Sequence, residues 1–369
     1  TGIGTERGVD LGDQAQVWAE GDLTLDGEGG FVGVDLGTRG FLSTTGILTI
    51  SGSANDGVGV SAGTDTALSI FGSYADIRGQ VGSTGTGVAF DGVSVNDSPS
   101  GQSSVTIVGT GGSIGTDRGV EMVNSLVIGR DVSLSGTTGG ETGLYLNDVE
   151  IHSNAGGPGD LTLEGQGGSG GVHLGASSQL VAGNYLTITG TAADGVGVSA
   201  GMGTELSAGG TQFDIRGEVT TTGTGVAFDG VSVNYPSFGQ SNVTIVGTGG
   251  NAGVDRGVEL VNSLVIGRDV SLTGTTSGET GLYLNDVEIH SNAGSPGDLT
   301  MEGHGGSGGI HLGASSYLVA GQDLTITGTA VDGSGVSAGM GTQLSAGGIS
   351  AEIRGEVTST GSGVIFDGV

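Results

Sequence analysis

The sequence predicts an all-β fold, a right-handed parallel β-helix, or triangular β-solenoid. The segment ETGLYLNDVEIHSNAG at 141–156 returns unchanged at 279–294, which defines a long super-repeat. Glycine supplies 84 of the 369 residues, yet 34% are hydrophobic and only 4 are proline, which excludes both a collagen helix and disorder. Short alternating apolar runs that end in glycine recur throughout the chain. A strict long period of such strands is typical of a stacked array.

The coils of this array each open with a glycine followed by an apolar, a variable and a second apolar residue. They are 24–32 residues long and number about 13, with five coils in each 138-residue super-repeat. The opening glycines are Gly8, Gly33, Gly57, Gly87, Gly119, Gly143, Gly171, Gly195, Gly225, Gly257, Gly281, Gly309, Gly333 and Gly363. Because the coil lengths recur between super-repeats, we expect the length differences to lie in loops at fixed corners.

Each coil contains three short strands. One follows the opening glycine, as in GVHLG at 171–175, and another ends in glycine, as in LTITG at 186–190. A less regular strand, such as Val93–Val95, lies between them. Alternation over four or five residues gives a strand one buried face. A single coil has too few apolar side chains to close a core, so we expect coils to stack and bury a continuous column.

A set of antiparallel sandwich domains is the alternative fold. It needs hairpin turns, for which Asp-Gly between two strands is a signal. Asp91-Gly92 and Asp56-Gly57 fit that description. Both pairs recur once in every super-repeat at the proposed corners, which a solenoid explains equally well.

The domain organisation follows from the register of the super-repeat. We predict one continuous solenoid with a partial unit of three coils at 1–86, full repeat units at 87–224 and 225–362, and the start of a further unit at 363–369. The chain begins without a methionine or a signal peptide, so we expect it to be a segment of a longer protein.

The charge of the chain restricts its partners. The formal charge is −30, all nine basic residues are arginine, and cysteine is absent. Such a surface repels phosphate backbones and anionic lipid, which excludes nucleic acid as a partner. No apolar run reaches the roughly 20 residues that span a bilayer, so we expect no membrane insertion by this segment.

The best local cluster of polar residues is Asn147, Asp148, Glu150 and His152, which is duplicated one super-repeat later. Parallel β-helices include polysaccharide lyases and hydrolases, which use carboxylates or a basic residue. A catalytic site copied without change along an array is unusual. We therefore predict no enzyme activity and no catalytic residues, and a β-helix carbohydrate-active enzyme stays as the alternative.

We predict no cofactor and no metal site. The five histidines show no ligand spacing, and the glycine-rich nonapeptide of calcium β-rolls does not occur. Structural calcium in loops rich in Asp and Asn is an open alternative. Pairs of threonines such as Thr187 and Thr189 resemble an ice-binding face, but charged residues such as Glu164 and Arg216 interrupt that face.

The arginines have a regular placement. Three acidic residues precede an arginine by two positions: Asp76 before Arg78, Asp214 before Arg216, and Glu352 before Arg354. Such residues point outward from the same strand, so we expect local surface pairs. We expect Arg118, Arg130, Arg256 and Arg268 to reduce carboxylate repulsion between coils.

The longest coils carry a loop that varies while its flanks do not, and this loop is the predicted place of contact with partners. The contact residues in the two copies are Asn96, Asp97, Ser98 and Pro99, and Asn234, Tyr235, Pro236 and Phe238.

The motifs GVDLG (33–37), GVHLG (171–175), LTISG (48–52) and LTITGTA (186–192 and 324–330) resemble the repeat shaft of the filamentous haemagglutinin type of large bacterial exoprotein. The resemblance covers the whole chain, although the coils are longer than that family's short repeats and these 369 residues do not include a secretion domain. It implies a secreted, extracellular fibre or adhesin shaft at the cell surface, acting in adhesion, cell–cell contact, biofilm or filament formation. The expected partners are other surface proteins, glycans, or copies of the chain end to end or side by side.

Overall fold

The computed structural model contains strands and connecting turns, and no helix in the residues it describes. Those residues are 1–96, 103–154, 157–234, 241–291 and 296–369. The chain divides into two compact units, Thr1–Thr187 and Ile188–Val369. We call these unit 1 and unit 2.

Unit 1 consists of short strands in consecutive groups of three. They are β1 (Gly2–Ile3), β2 (Arg7–Asp10), β3 (Gln16–Ala19), β4 (Leu23–Gly29), β5 (Val32–Asp35), β6 (Phe41–Thr44), β7 (Leu48–Ala54), β8 (Gly57–Ala62), β9 (Thr66–Ile70), β10 (Tyr74–Val81), β11 (Gly85–Asp91), β12 (Val93–Val95), β13 (Ser104–Thr110), β14 (Arg118–Val123), β15 (Leu126–Ile128), β16 (Val132–Thr137), β17 (Thr142–Asn147), β18 (Glu150–Ser153), β19 (Leu161–Gly167), β20 (Gly170–Leu174) and β21 (Gln179–Ala182).

The strands of unit 1 form three columns, which we name by their place in a coil. Column 1 holds the strands that follow the opening glycine, column 2 holds the short strands, and column 3 holds the strands that contain the closing glycine. Each strand pairs in parallel with the strand three places further on, as β7 does with β10 and β10 with β13. Each coil therefore hydrogen-bonds to the coils before and after it within the unit.

Unit 2 repeats this arrangement. Its strands are β22 (Leu186–Ala200), which starts at the end of unit 1, β23 (Glu205–Ala208), β24 (Gln212–Asp229), β25 (Ser232–Val233), β26 (Asn242–Thr248), β27 (Arg256–Val261), β28 (Leu264–Ile266), β29 (Val270–Thr275), β30 (Thr280–Asn285), β31 (Glu288–Ser291), β32 (Leu299–Gly305), β33 (Gly308–Leu312), β34 (Tyr317–Ala320), β35 (Leu324–Ala330), β36 (Gly333–Ala338), β37 (Gln343–Ala346), β38 (Ala351–Val357) and β39 (Gly361–Phe366). The long strand β24 serves both column 3, where it pairs with β26, and column 1, where it pairs with β27.

The predicted fold class is confirmed. The pairings between described strands within each unit are parallel, as for β16 with β19 and β29 with β32, so the sandwich alternative is wrong. Column 2 contributes seven strands to unit 1 and six to unit 2, in agreement with a right-handed β-helix of about 13 turns.

The core of each unit is filled by side chains that alternate inward along the strands. In column 3 of unit 1, Ile77, Ile107 and Leu134 occupy the same register position in successive coils, and each is fully buried. Burying one such side chain contributes about 1.5–3 kcal/mol. The contribution requires a coil on each side, because every inward residue packs between its counterparts above and below.

Columns 1 and 3 meet at a seam where two glycines face each other in each coil. A Cβ placed on Gly274 at the end of β29 would lie 1.9 Å from the carbonyl oxygen of Gly281 in β30. In unit 1, Gly109 stands in the same relation to Gly119, at 2.0 Å. The backbones therefore pack in direct contact, and any side chain would separate the two columns.

The seam also corrects three of the predicted coil starts. Val60 pairs with Val88 and Val336 with Val364, so the glycines in register with Gly87 and Gly363 are two residues after Gly57 and Gly333. The same shift from Gly195 to Gly197 holds in the middle copy, where Gly197 faces Gly190. These coils begin with the sequence Gly-x-Gly-Val, in which the two glycines are two residues apart and so fit the inward–outward alternation of the strand equally well. Only packing against the column 3 glycine distinguishes them.

The turn from column 1 to column 2 has at least one residue in the left-handed region in each coil. In unit 2 these residues include Asn262 with φ 50°, Asp286 with φ 53° and Ser315 with φ 61°. Asn and Asp tolerate this conformation better than other non-glycine residues. Their side chains stand one above another on successive coils. We call this edge of unit 2 the column 1–2 corner.

Candidate functional site

The predicted contact residues fall into two groups. Asp97, Ser98, Pro99, Tyr235, Pro236 and Phe238 lie outside the described residues, so their role stays a prediction. Asn96 and Asn234 are described, and both are fully buried.

The burial of these two asparagines corrects their assignment as contact residues. The Asn234 amide nitrogen donates to the Ser241 hydroxyl at 2.7 Å, and its oxygen accepts the Ala208 N–H at 3.0 Å. Asn96 donates likewise to Ser103 at 3.1 Å. Both have a positive φ, which asparagine accommodates. They close the start of the variable loop from inside and are not available to a partner.

The duplicated polar motif is divided between a turn and a strand. Asn147 is the last residue of β17 and Asp148 lies in the turn that follows, while Glu150 and His152 belong to β18. His152 and Glu150 form a pair in which Nε2 lies 2.7 Å from Oε1. The second copy has the same pair at 2.6 Å. The carboxylate and imidazole are thus engaged with each other on the strand surface.

The structure assembles a cluster that no sequence motif indicated. Arg118 forms ion pairs with Glu121 of its own coil and with Glu141 of the next, the latter at 3.4 Å. Its guanidinium lies 3.6 Å from the centre of the Tyr145 ring. That ring stacks on His173, with centroids 5.0 Å apart and planes 17° apart. We call these five residues the Arg118 cluster.

Unit 2 contains the same constellation one super-repeat later. The Arg256 cluster consists of Arg256, Glu259, Glu279, Tyr283 and His311. Arg256 lies 3.7 Å over the Tyr283 ring and pairs with Glu279 at 3.0 Å, and also with Glu259. His311 additionally contacts the Ser337 hydroxyl through Nδ1 at 2.9 Å. Two copies of one arrangement therefore exist, one in each unit.

The backbone register explains how the Arg118 cluster forms. Glu121 pairs with Tyr145, and Tyr145 pairs with His173, on three successive strands of column 1. Each occupies the variable position two residues after its seam glycine. The coil alignment therefore contained the signal, because reading that position down the coils gives Glu, Tyr and His in order.

Burial sets the protonation of the two stacked histidines. Desolvation and then the nearby Arg118 guanidinium lower the pKa of His173 below its ordinary value of 6.5, against the opposing effect of Glu141. The pKa of His311 is lowered by burial and by Arg256 in the same way, opposed by Glu279. Both rings are therefore neutral at physiological pH, as aromatic stacking beside a cation favours.

The clusters offer little to an acidic substrate. The Arg118 side chain is only 18% exposed, its charge is shared between two carboxylates, and one face is covered by Tyr145. A lyase needs an accessible cation to neutralise a sugar carboxylate and a base that reaches the substrate. The geometry suits a structural link between coils, since the arginine forms ion pairs with carboxylates of two adjacent coils and also stacks on the Tyr145 ring.

The predicted local arginine pairs are confirmed in two of three places. Arg78 binds Asp76 at 3.0 Å and Arg216 binds Asp214 at 2.9 Å. The pairing of Arg354 with Glu352 is wrong, because Arg354 bonds Glu356 on its other side at 3.3 Å.

Many carboxylates serve as acceptors for backbone N–H groups between coils. Asp269 accepts the Asp298 N–H at 3.1 Å, Asp298 accepts the Asp323 N–H at 3.2 Å, and Asp323 accepts the Ser350 N–H at 3.2 Å. In unit 1, burial alone raises the pKa of Asp131, but hydrogen bonds from Arg130, the Asp160 amide and Ser104 outweigh it and lower that pKa. Part of the strong negative charge is therefore structural.

In the described part of the chain, no group of three or more His, Asp or Glu residues is arranged to hold a metal ion. Comparisons with protein-family models, with curated proteins and with solved structures gave no match. Among the described residues, no helix has the length and apolar character to cross a membrane. The β-solenoid architecture is consequently the firmest guide to function.

Proposed function

We propose that the chain is a structural repeat segment of a secreted bacterial surface fibre or adhesin shaft. The observation that carries the proposal is the repetition of one side-chain surface from one super-repeat to the next, including the Arg118 and Arg256 clusters. A protein whose task is to extend a surface needs such repetition, whereas a catalyst needs one distinctive groove.

The mechanism is mechanical. Backbone pairing between coils, the glycine seam and the interior aliphatic columns stiffen each unit, and the arginine clusters and aspartate bonds fasten neighbouring coils at the surface. No cofactor and no catalytic step take part. The length of a shaft then depends on the number of coils.

The extracellular location rests on the resemblance to filamentous haemagglutinin-type exoproteins and on the absence of cysteine, together with the acidic, lysine-free composition. The partners we propose are other surface proteins, glycans or further copies of the chain. The variable-loop positions around Pro99 and Pro236, which lie outside the described residues, are the proposed contact points.

Two measurements test this role. Inserting a further copy of 225–362 adds five coils, which at about 4.8 Å per coil lengthens a shaft by about 24 Å. Small-angle X-ray scattering should report that increment, and an added separate globule would contradict the proposal. Antibodies against the chain should label intact cells of the producing organism, whereas labelling only after permeabilisation would contradict the surface location.

The alternative, a β-helix carbohydrate-active enzyme, would use the Arg118 and Arg256 clusters, where Arg, Tyr, His and Glu side chains come together. Incubation with neutral and acidic polysaccharides should release no product. Product formation that disappears in a double Arg118→Met/Arg256→Met variant would favour the enzyme.

A further inference from the structure

A pocket opens at the column 1–2 corner of unit 2. Its volume is about 350 Å³, at the lower end of the range for small-molecule sites. We call it the Tyr317 pocket. It is lined by Ser232, Asn262, Ser263, Leu264, Asp286, Val287, Glu288, Ser315 and Tyr317. Four successive coils contribute to it, and the left-handed corner residues Asn262, Asp286 and Ser315 all face the same space.

Several polar groups of this pocket have unused hydrogen-bonding capacity. The Asp286 carboxylate and the Ser232 and Ser315 hydroxyls make no hydrogen bond to any described residue. Glu288 uses Oε1 for His290 at 2.6 Å, which leaves its second oxygen. The Asn262 amide nitrogen donates to Asp229 at 3.0 Å, which leaves its carbonyl oxygen. The pocket thus presents acceptors at fixed positions, and two of its hydroxyls can also donate.

The aromatic wall is held in place. Tyr317 is 38% exposed, and its ring meets the edge of His290 with centroids 5.6 Å apart and planes 62° apart. His290 is itself tied to Glu288, which pairs with Tyr317 in the backbone register. The ring is therefore oriented before any ligand arrives, and little conformational freedom is lost on binding.

We propose that the Tyr317 pocket binds a neutral saccharide ring. A sugar presents hydroxyls that donate to carboxylate and carbonyl acceptors, and a face of C–H groups that packs on an aromatic ring. No lining residue of the pocket is cationic, and two are carboxylates, so an acidic sugar or a phosphate is repelled. The proposal is independent of the structural role argued above, because it concerns one pocket in unit 2.

The chain contains its own comparison for this site. Eight of the nine lining residues have an identical counterpart one super-repeat earlier, and the ninth, Tyr317, is replaced by Gln179. The two positions lie on equivalent strands, since Gln179 pairs with Glu150 as Tyr317 pairs with Glu288. The polar groups are therefore matched, and only the aromatic wall differs.

The experiment uses the whole chain and saturation-transfer NMR. The probes are methyl α-glucopyranoside, methyl β-galactopyranoside and N-acetylglucosamine, with glucuronic acid and calcium chloride as contrasts. The proteins are the unaltered chain, Tyr317→Gln and Gln179→Tyr. Each substitution installs the residue that the other repeat carries, so both should fold, which circular dichroism checks.

At least one neutral probe should receive saturation at its ring C–H protons from the unaltered chain. Tyr317→Gln should weaken that binding by at least about tenfold, and Gln179→Tyr should raise the number of sites about twofold. The proposal is overturned if no neutral probe binds, if Tyr317→Gln binds as well as the unaltered chain, or if only glucuronic acid or calcium perturbs the pocket.

Discussion

Adding one methyl group at the glycine seam should destabilise unit 2 severely. In a Gly274→Ala variant the new Cβ would lie 1.9 Å from the Gly281 carbonyl oxygen, 2.6 Å from its carbonyl carbon and 2.7 Å from the Leu282 Cδ2 atom. Real Cβ atoms essentially never approach a neighbour closer than 3.0 Å, so β29 and β30 must separate by about 1 Å. The two nearest atoms belong to the backbone, and no side-chain rotation relieves the contact.

The cost follows from that separation. Overpacking against movable side chains costs about 1–3 kcal/mol. Here the shift also stretches hydrogen bonds of β29 to its neighbours on both sides, each with a net value of about 1 kcal/mol. We therefore expect a loss of at least about 3 kcal/mol in the free energy of unfolding.

Gly253→Ala is the matched control, because a Cβ at Gly253 meets no atom within 4 Å and its φ is not positive. It should be neutral or slightly stabilising, by about 0.4–1 kcal/mol. Urea unfolding compares the midpoints, and hydrogen exchange by mass spectrometry reports opening of β29 and β30. If Gly274→Ala came within about 0.5 kcal/mol of Gly253→Ala, the tight seam would be refuted.

Three further predictions concern the polar groups. Arg256→Met should lower the free energy of unfolding by about 1–3 kcal/mol, because it leaves Glu259 and Glu279 unpaired beside Tyr283. The control Arg268→Met removes only an exposed pair with Asp269, so its free energy of unfolding should change by no more than about 0.5 kcal/mol. Equal urea midpoints for the two variants would contradict this difference. Since burial and the neighbouring arginine lower the pKa of His173 and of His311 below 6.5, the folded state favours neutral imidazole, and stability present above pH 6.5 is lost as the pH falls through the folded pKa. The double His173→Gln/His311→Gln variant should therefore lose less stability between pH 7 and pH 5 than the unaltered chain, and an identical pH profile would count against the assignment. Asn234→Ala should lower the free energy of unfolding by about 2–3 kcal/mol, because it leaves the Ala208 N–H without its acceptor and places an alanine at a positive φ. An unchanged urea midpoint would show that the start of the loop is held by other contacts.

The repeat period of the sequence is enough to predict most of the fold. Because stacked coils bury side chains at a strict alternation, the strands LTITG and GVHLG could be recognised from their pattern alone, and the structure confirms both as β22 and β20. The coil starts at Gly57, Gly195 and Gly333 were wrong by two residues. Alternation has a period of two, so a shift of two residues is invisible to it.

The sites were harder to predict because they join residues that are distant in the chain. The motif around Asp148 and Glu150 is visible in the sequence because its residues are adjacent, but the pocket that Asp286 and Glu288 line in the second copy forms only when neighbouring coils stack. The Arg118 cluster draws on three coils and forms only when those coils are stacked in register. Asn96 belongs to a polar segment that predicts an exposed loop, yet its side chain is buried and donates a hydrogen bond to the hydroxyl of Ser103 beyond the loop.

From residues alone, the two-residue alternation and the long super-repeat already define a parallel β-solenoid, since local alternation and repeated length are properties of the chain. Tertiary packing decides the rest. It selects the seam glycines by backbone contact, brings three separate residues into an Arg–Tyr–His stack, and assembles the pocket beside Tyr317 from four successive coils. These features depend on distances between coils, which no pattern within one coil contains.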